Sequence, residues 1–139
     1  MTIATKTMQI KTKGELQLIN ITEDVSKVVK ESKISDGVAT VFVPGSTAAV
    51  TTIEYEPGLL KDFPDMLERL APKNMNYEHE NMWHDGNGHS HVRASLIGPS
   101  LTVPFTNKQL TLGTWQQIVL VELDIRSRER SFVVQIIGE

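Results

Sequence analysis

The chain has 139 residues, of which 40% are hydrophobic, and its formal net charge is −3. This length and composition predict a single domain over residues 1–139 with its own core, and they exclude a chain that is disordered in bulk. The absence of cysteine excludes disulfides and thiolate ligands, so a metal ion would need histidine, carboxylate or backbone oxygen ligands.

The charge distribution and the N-terminal composition restrict which partners and which cellular compartment we expect. Acidic and basic residues are interspersed without a basic patch, so nucleic acid is not an expected partner. Residues 1–14 lack the apolar core of a signal peptide, and no apolar run reaches the length of a membrane span. We therefore expect a soluble cytoplasmic protein that does not contact a membrane.

The first part of the chain shows two hydrophobic periods, the alternation of a strand and the spacing of a helix. Apolar and polar residues alternate over 4–13 and 15–20, which predicts two strands paired as a hairpin across Gly14. Valines at helical spacing predict an amphipathic helix over 22–33. The continuous apolar run 38–43 predicts a central strand covered on both faces.

The middle of the chain alternates between strand and helix signals. A strand is expected over 50–54, followed by a helix that starts at Pro57 and is kinked or divided at Pro64. Pro72 ends that helix, and a shorter one is expected over 91–97.

The last third is dominated by strands. Residues 101–105 and 109–112 flank a two-residue turn, and the strongest strand signals are 115–124 and 131–137. The basic run 126–130 is interpreted as a solvated hairpin loop that joins these last two strands. Because strands outnumber helices and many neighbours can pair antiparallel, the pattern predicts an α+β domain with a large, folded-over sheet.

All four histidines lie in the segment 76–98: His79, His84, His89 and His91. Neutral imidazole is a common ligand of zinc and similar divalent metals. In an extended backbone, His89 and His91 lie on one side, whereas on a continuous helix they diverge by about 200°. We expect His79, His89 and His91 to hold a divalent metal, with zinc preferred, and His84 to be peripheral. The alternative is a set of exposed loop histidines or capping groups.

Other polar groups have both a functional and a structural interpretation. Ser46 and Thr47 follow a buried strand and Gly45, so they form either a small anion-binding cradle or an ordinary β-turn. Glu54 lies near the end of the next strand. It has two functional interpretations, as a residue that orients a ligand or as a base, and one structural interpretation, as an exposed carboxylate.

The stretch Gly113-Thr114-Trp115-Gln116 opens a long strand. Tryptophan and glutamine offer a stacking face and an amide, so these residues either line a pocket or pack as an ordinary buried strand.

Three stretches stand out together: Asn76-Tyr77-Glu78-His79, Ser90-His91 with residues 94–98, and Gly113-Thr114-Trp115-Gln116. They resemble the YjbQ-like family, some of whose members are described as secondary thiamine-phosphate synthases. The closing residues 135–139 also match, so the similarity spans nearly the whole chain.

The resemblance implies a β-rich α+β fold with two sandwich-like layers of mixed sheet and two to three flanking helices. It also implies a homotrimer whose sites lie near subunit boundaries, with metal ions or anions beside His79 and His91. Many relatives carry a histidine where this chain has Gly45, and His89 is a candidate replacement for it. Many also carry glycine where this chain has Lys108 in the hairpin.

Two hypotheses follow. The first is a metal-assisted enzyme acting on a small phosphorylated or pyrophosphorylated substrate, with a thiamine-phosphate synthase-like transferase reaction as a weak activity. In it, His79, His91 and Glu54 are catalytic, and the substrate is bound by Ser46, Thr47, Thr114, Trp115 and Gln116. The second is a non-catalytic trimeric binding or scaffold protein that uses its metal or anion site structurally.

Overall fold

A computed structural model describes all of residues 1–139. Eight strands and four helices follow one another in the order β1 (Thr2–Lys11), β2 (Gln17–Asn20), α1 (Thr22–Glu31), β3 (Gly37–Phe42), β4 (Ala48–Glu54), α2 (Leu59–Leu70), α3 (Glu78–Trp83), α4 (Gly88–Ile97), β5 (Ser100–Thr106), β6 (Gln109–Leu110), β7 (Gln116–Glu122) and β8 (Glu129–Gly138). No helix is both long and apolar enough to span a bilayer.

The strands form two sheets that pack face to face. One sheet has the order β1-β8-β3-β5-β6 and the other has the order β2-β7-β4. The predicted α+β class with two layers of sheet is confirmed. The expected mixed strand direction is not observed, because every neighbouring pair of strands is antiparallel. The structure has four helices, whereas two to three were expected.

The main core lies between the two sheets and is closed by α1. Val41 and Phe132 from the larger sheet pack in one cluster with Leu120 from the smaller sheet. The other face of β7 contributes Val119 and Val121 to a second cluster, with residues of α2 and α4. Strand β7 is therefore buried on both faces, and its C-terminal end is held between a sheet and a helical layer.

Strand pairing corrects two predicted hairpins. Strands β1 and β2 lie in different sheets, as do β7 and β8, so neither pair is joined as a hairpin. Alternation identifies the buried face of a strand but not its partner, because any strand with the same period presents an equivalent edge. The hairpin of β5 and β6 is confirmed, with Asn107 and Lys108 both at positive φ, as a two-residue primed turn requires.

The helices also depart from prediction in places. Helix α2 accommodates Pro64 and is not divided by it. Helix α3 was not predicted, because its six residues are too few to establish a helical period. Helix α4 begins at Gly88, three residues before the predicted start at His91. This early start decides which way the histidines point.

Candidate functional site

A cleft of about 520 Å³ opens where β4 begins and β7 ends. Helices α3 and α4 supply one wall through His79, Trp83 and His91, and the segment after β7 supplies another through Arg126. Ser46 lies at the edge, before β4. Segments from distant parts of the sequence therefore converge on one polar hollow.

Two of the predicted histidines meet in this cleft. The ring centroids of His79 and His91 lie 4.3 Å apart, with 48° between the ring planes. His79 Nε2 is 3.2 Å from Asp85 Oδ1. Burial and the neighbouring charge of His79 lower the pKa of His91, which keeps its imidazole neutral and available as a ligand.

Glu80 completes the tightest group of potential ligands with His79 and Asp85, whose ligand atoms lie within 4.8 Å of one another. Its two carboxylate oxygens, however, accept the backbone N–H groups of Gly86 and Gly88 at 2.5 and 2.7 Å. Glu80 therefore fixes the loop before α4 and satisfies its first amides, which orients the histidine wall without requiring Glu80 itself as a ligand.

The start of α4 also depends on close packing at Gly88. A Cβ atom at this position would lie 2.5 Å from Tyr77 Cβ and 2.9 Å from Glu80 Oε1. Glycine at this position lets the helix begin directly against Tyr77.

The floor of the cleft contains a buried carboxylate that was not predicted. Asp124, whose side chain is 1% exposed, accepts hydrogen bonds from Arg128 Nε at 2.8 Å and from Thr47 Oγ1 at 3.3 Å. Burial alone raises the pKa of Asp124. This effect is outweighed by the hydrogen bond and charge of Arg128 and by hydrogen bonds from the Ile125 N–H and the Asn87 amide, so the pKa is lowered. Asp124 is therefore ionised at neutral pH.

Beneath Asp124 lies a second buried pair. Arg130 on β8 donates to both carboxylate oxygens of Glu122 on β7, at 2.9 and 2.6 Å, and to Thr47 Oγ1 at 2.8 Å. Thr12 Oγ1 donates to Glu122 at 2.7 Å. This network ties the two sheets together under the cleft and corrects the interpretation of the whole basic run as a solvated loop.

Within the predicted anion cradle, the two hydroxyls have different environments. The Thr47 hydroxyl already accepts from Arg130 and donates to Asp124, whereas Ser46 is exposed at the cleft edge. Gly45 has φ of +130°, and a Cβ atom there would lie 3.0 Å from Arg130 Nη1. The turn therefore lets Arg130 approach closely and leaves Ser46 as its free hydroxyl.

The structure does not bring His89 to the cluster. Its side chain is 1% exposed, and Nε2 is 2.8 Å from Glu15 Oε2 on the other side of the loop. The expected three-histidine set required an extended backbone from His89 to His91, but both lie within α4 and diverge around it. His84 ends α3 at positive φ and does not line the cleft.

Glu54 and the Thr114-Trp115-Gln116 stretch lie at the opposite end of the β4–β7 pair. Glu54 is in register with Gln116, whose amide donates to Thr52 Oγ1 at 3.1 Å. The seven residues of β4 separate this end from the cleft by roughly 20 Å, at about 3.3 Å per residue. Within one chain these residues do not share a site with the histidines.

The sequence analysis assigned no site role to seven residues that line the cleft, and the most informative of them are Asp85, Asn87 and Asp124. The first two lie in the histidine-rich segment, where a search for oxygen ligands would have found them. Asp124 follows an apolar strand, a position also common for surface carboxylates, so only its burial identifies it.

Together, the fold and the cleft define a class of protein: a two-sheet α+β domain with an open site lined by two imidazoles and two carboxylates. The sequence matches the family model of the UPF0047 YjbQ-like proteins over residues 6–139. The chain belongs to this family.

Relatives and solved structures agree with this assignment. The chain is 39% identical over 132 residues to a UPF0047 protein of Methanocaldococcus jannaschii, covering 94% of this chain and 92% of that one. A crystal structure from Sulfolobus solfataricus P2, described as a YbjQ-like protein of unknown function, matches with a TM-score of 0.89 at 32% identity. That match covers 99% of this chain and all of the other. A crystal structure of a hypothetical protein from Aeropyrum pernix K1 matches with a TM-score of 0.90 at 33% identity. That match covers 98% of this chain and 99% of the other.

Proposed function

We propose that the protein is a metal-assisted enzyme acting on a small phosphorylated or pyrophosphorylated substrate. The observation that carries the proposal is the convergence of His79, His91 and Asp85 at one wall of an open cleft. Two imidazoles and a carboxylate are a donor set that binds zinc and related divalent ions. Such an ion neutralises the charge that develops on a departing phosphate group.

Other residues that line the cleft support binding of an anionic substrate. Arg126 and the Ser46 hydroxyl are exposed there, whereas Arg128 is paired with Asp124. A guanidinium and a hydroxyl suit phosphate oxygens, and Trp83 offers an exposed planar face. The cleft thus has separate places for a metal, a phosphate and an uncharged ring.

The specific reaction we propose is the joining of a pyrimidine pyrophosphate to a thiazole phosphate. A bond forms between the two ring systems, inorganic pyrophosphate leaves, and thiamine phosphate is the product. We expect this activity to be weak, because the cleft is generic for anions. Glu54 takes part only if a neighbouring subunit places it at the cleft.

The experiment is a metal titration combined with a turnover assay on the two substrates. His79→Ala and His91→Ala should abolish turnover and weaken zinc binding, while His84→Ala, a matched control outside the cleft, should change neither. If zinc alters neither melting temperature nor turnover of the wild type, the metal-assisted proposal is wrong.

A second candidate function is a homotrimeric binding or scaffold protein, and the outer face of the five-stranded sheet favours it. The strand registers place eighteen outward side chains on this face, and only Lys11 and Glu129, which pair with each other at one corner, are charged. The other sixteen are Ile3, Thr5, Thr7, Gln9, Val38, Thr40, Phe42, Ser100, Thr102, Pro104, Thr106, Gln109, Ser131, Val133, Gln135 and Ile137. A face of this breadth with charge at one corner only, and with Phe42 and Ile3 exposed, is typical of a surface covered by another subunit.

Self-association and catalysis are separable by mutation. Phe42→Asp should convert the assembly to smaller species in light scattering, whereas Asn74→Asp in an exposed loop should not. If His91→Ala keeps the assembly and the melting temperature but loses turnover, the scaffold hypothesis fails. If Phe42→Asp leaves the mass unchanged, the sheet face is not the interface.

A further inference from the structure

Four strands lie at the margins of the two sheets: β1 and β6 in the larger sheet, and β2 and β4 in the smaller one. A strand at a margin presents backbone N–H and C=O groups that can pair with a strand of another chain, unless the edge is short, charged or covered. Strand β6 has only two residues, and on β2 the Leu18 carbonyl accepts a hydrogen bond from the Tyr55 hydroxyl at 2.8 Å. The edges of β1 and β4 remain open.

The free edge of β1 is long and exposed. Hydrogen-bonded residue pairs alternate along an antiparallel ladder. The N–H of Thr12, which follows β1, donates to the Arg128 carbonyl, so the even-numbered residues of β1 are the ones bonded to β8. The N–H and C=O groups of Ile3, Thr5 and Thr7 therefore face outward, and all three residues are exposed.

The edge of β4 is open at Thr52. Toward β7, the Leu123 N–H donates to the Thr47 carbonyl, and on the other side of β4 the Val50 N–H donates to the Gly98 carbonyl. Because bonding alternates from residue to residue, Thr52 turns its N–H and its C=O away from β7. Neither group has a backbone partner elsewhere in the chain.

Beyond Thr52, a hollow of about 360 Å³ separates β4 from β5, and we call it the β4–β5 hollow. None of the twelve residues that line it is charged. On its β5 side, the Pro104 carbonyl accepts from the Thr111 N–H, and the same alternation turns the N–H and C=O of Thr102 toward the hollow. The hollow therefore combines unpaired backbone groups on two walls with a lack of charge, which suits an uncharged extended strand.

We propose that the β1 edge of one copy of this chain pairs with Thr52 of β4, in the β4–β5 hollow of the next copy. Both surfaces offer unpaired backbone donors and acceptors, and neither places a charge where they meet. The charged residue within this part of β1 is Lys6, whose side chain leaves the opposite face of the strand from Thr5 and Thr7. It lies 4.0 Å from Glu31 in α1 of its own chain.

This contact joins two unlike surfaces, so it repeats head to tail and closes into a ring when the rotation between copies allows it. A homotrimer is one such ring. The inference rests on the self-association of the second candidate function and identifies the backbone groups that make the contact. The hollow also adjoins the outer face of the five-stranded sheet, because Thr102 and Pro104 belong to both.

Proline substitution tests the pairing, since proline removes a backbone N–H and is tolerated at a strand edge whose N–H faces outward. Thr52→Pro and Thr5→Pro in the full-length chain should keep the wild-type circular dichroism. Each should raise the dissociation constant of the assembly by about 10-fold or more in analytical ultracentrifugation. Thr52→Val and Thr5→Val keep the N–H, so these matched controls should assemble as the wild type does.

A mixture of the two proline variants tests the head-to-tail arrangement. The Thr52→Pro chain keeps an intact β1 edge, and the Thr5→Pro chain keeps an intact β4–β5 hollow, so one productive contact remains between them. The mixture should contain a dimer of the two variants that neither variant forms alone, and a mixture that stays monomeric contradicts the arrangement. If Thr52→Pro does not fold, Thr5→Pro and its valine control decide the matter.

Proline variants that fold and assemble as the wild type does overturn the proposal. If Phe42→Asp dissociates the assembly under the same conditions, self-association through the sheet face stands without the edge pairing. A wild type that is monomeric in solution overturns the edge pairing and the second candidate function together.

Discussion

The two ends of the β4–β7 pair differ in how their polar side chains are held. At the cleft end, Thr47 and Asp124 are buried and each makes several hydrogen bonds to residues from other elements. At the other end, Trp115 is 72% exposed, and Gln116 bonds only to neighbours in its own turn and strand pair. One end is fixed by tertiary contacts, and the other is open to solvent or to another subunit.

This difference shows that a conspicuous sequence motif does not by itself mark an organised site. Gly113-Thr114-Trp115-Gln116 is the most conspicuous stretch of the chain, yet within a single chain its Trp115 side chain is exposed. The cleft is assembled from five segments: the turn before β4, helix α3, the loop after it, helix α4 and the segment after β7. Variants at the two ends should therefore have effects of different sizes and kinds.

The largest effect is expected beneath the cleft. Arg130→Met leaves Glu122 as an unpaired, fully buried carboxylate, which should lower the free energy of unfolding by about 3–5 kcal/mol in urea denaturation. The double variant Arg130→Met/Glu122→Leu removes both charges and should recover much of this loss. A single variant as stable as the wild type would show that the pair is not buried.

The next effect is expected at the loop that supports the histidine wall. Glu80→Ala leaves the amides of Gly86 and Gly88 without their acceptor, so we expect a loss of about 1–3 kcal/mol together with weaker zinc binding. Glu78→Ala, on the exposed side of the same helix, is the control. Equal effects of the two substitutions would argue against the capping role of Glu80.

An effect of similar size, but dependent on pH, is expected at Glu15. Burial alone raises the pKa of Glu15, but hydrogen bonds and charges of Lys73 and His89 outweigh it, so the pKa lies below its ordinary value of 4.5. A lowered folded-state pKa stabilises the protein above pH 4.5, and this contribution is lost as pH falls through the folded pKa.

Glu15→Gln should therefore cost about 1–3 kcal/mol at pH 7, and much less once the pH lies below the folded-state pKa. Thermal melts of both proteins across this range measure the difference. Glu23→Gln on the exposed first turn of α1 should show no such pH trend. A difference that stays constant with pH would contradict the ionic contribution.

The smallest effect on the isolated fold is expected at the open end. Trp115→Ala should change stability by no more than about 0.5 kcal/mol and leave zinc affinity unchanged, because the side chain is exposed and far from the cleft. If the assembled protein loses turnover without losing zinc affinity, a neighbouring subunit supplies this end to the site. Lower zinc affinity in the variant would mean that the two ends are not independent.

Much of the site could be anticipated, but its exact membership could not. The histidine-rich segment pointed to His79 and His91, and both line the cleft. The same reasoning included His89, because the start of α4 at Gly88 was not visible in the sequence. Asp124 and Arg130 were overlooked as site-forming residues because a charged residue next to a strand gives no sign of whether it is buried.

The sequence by itself determined the kinds of element and their buried faces, since a period of two or 3.6 residues is a local property of the chain. Tertiary structure decided which strands became neighbours and which side chains met. Strand edges are chemically alike, and the direction of a side chain on a helix shifts by about 100° for each residue along it. The pairing of β8 with β1 and β3, and the meeting of His79 with His91 over Asp124, are therefore consequences of packing the whole chain.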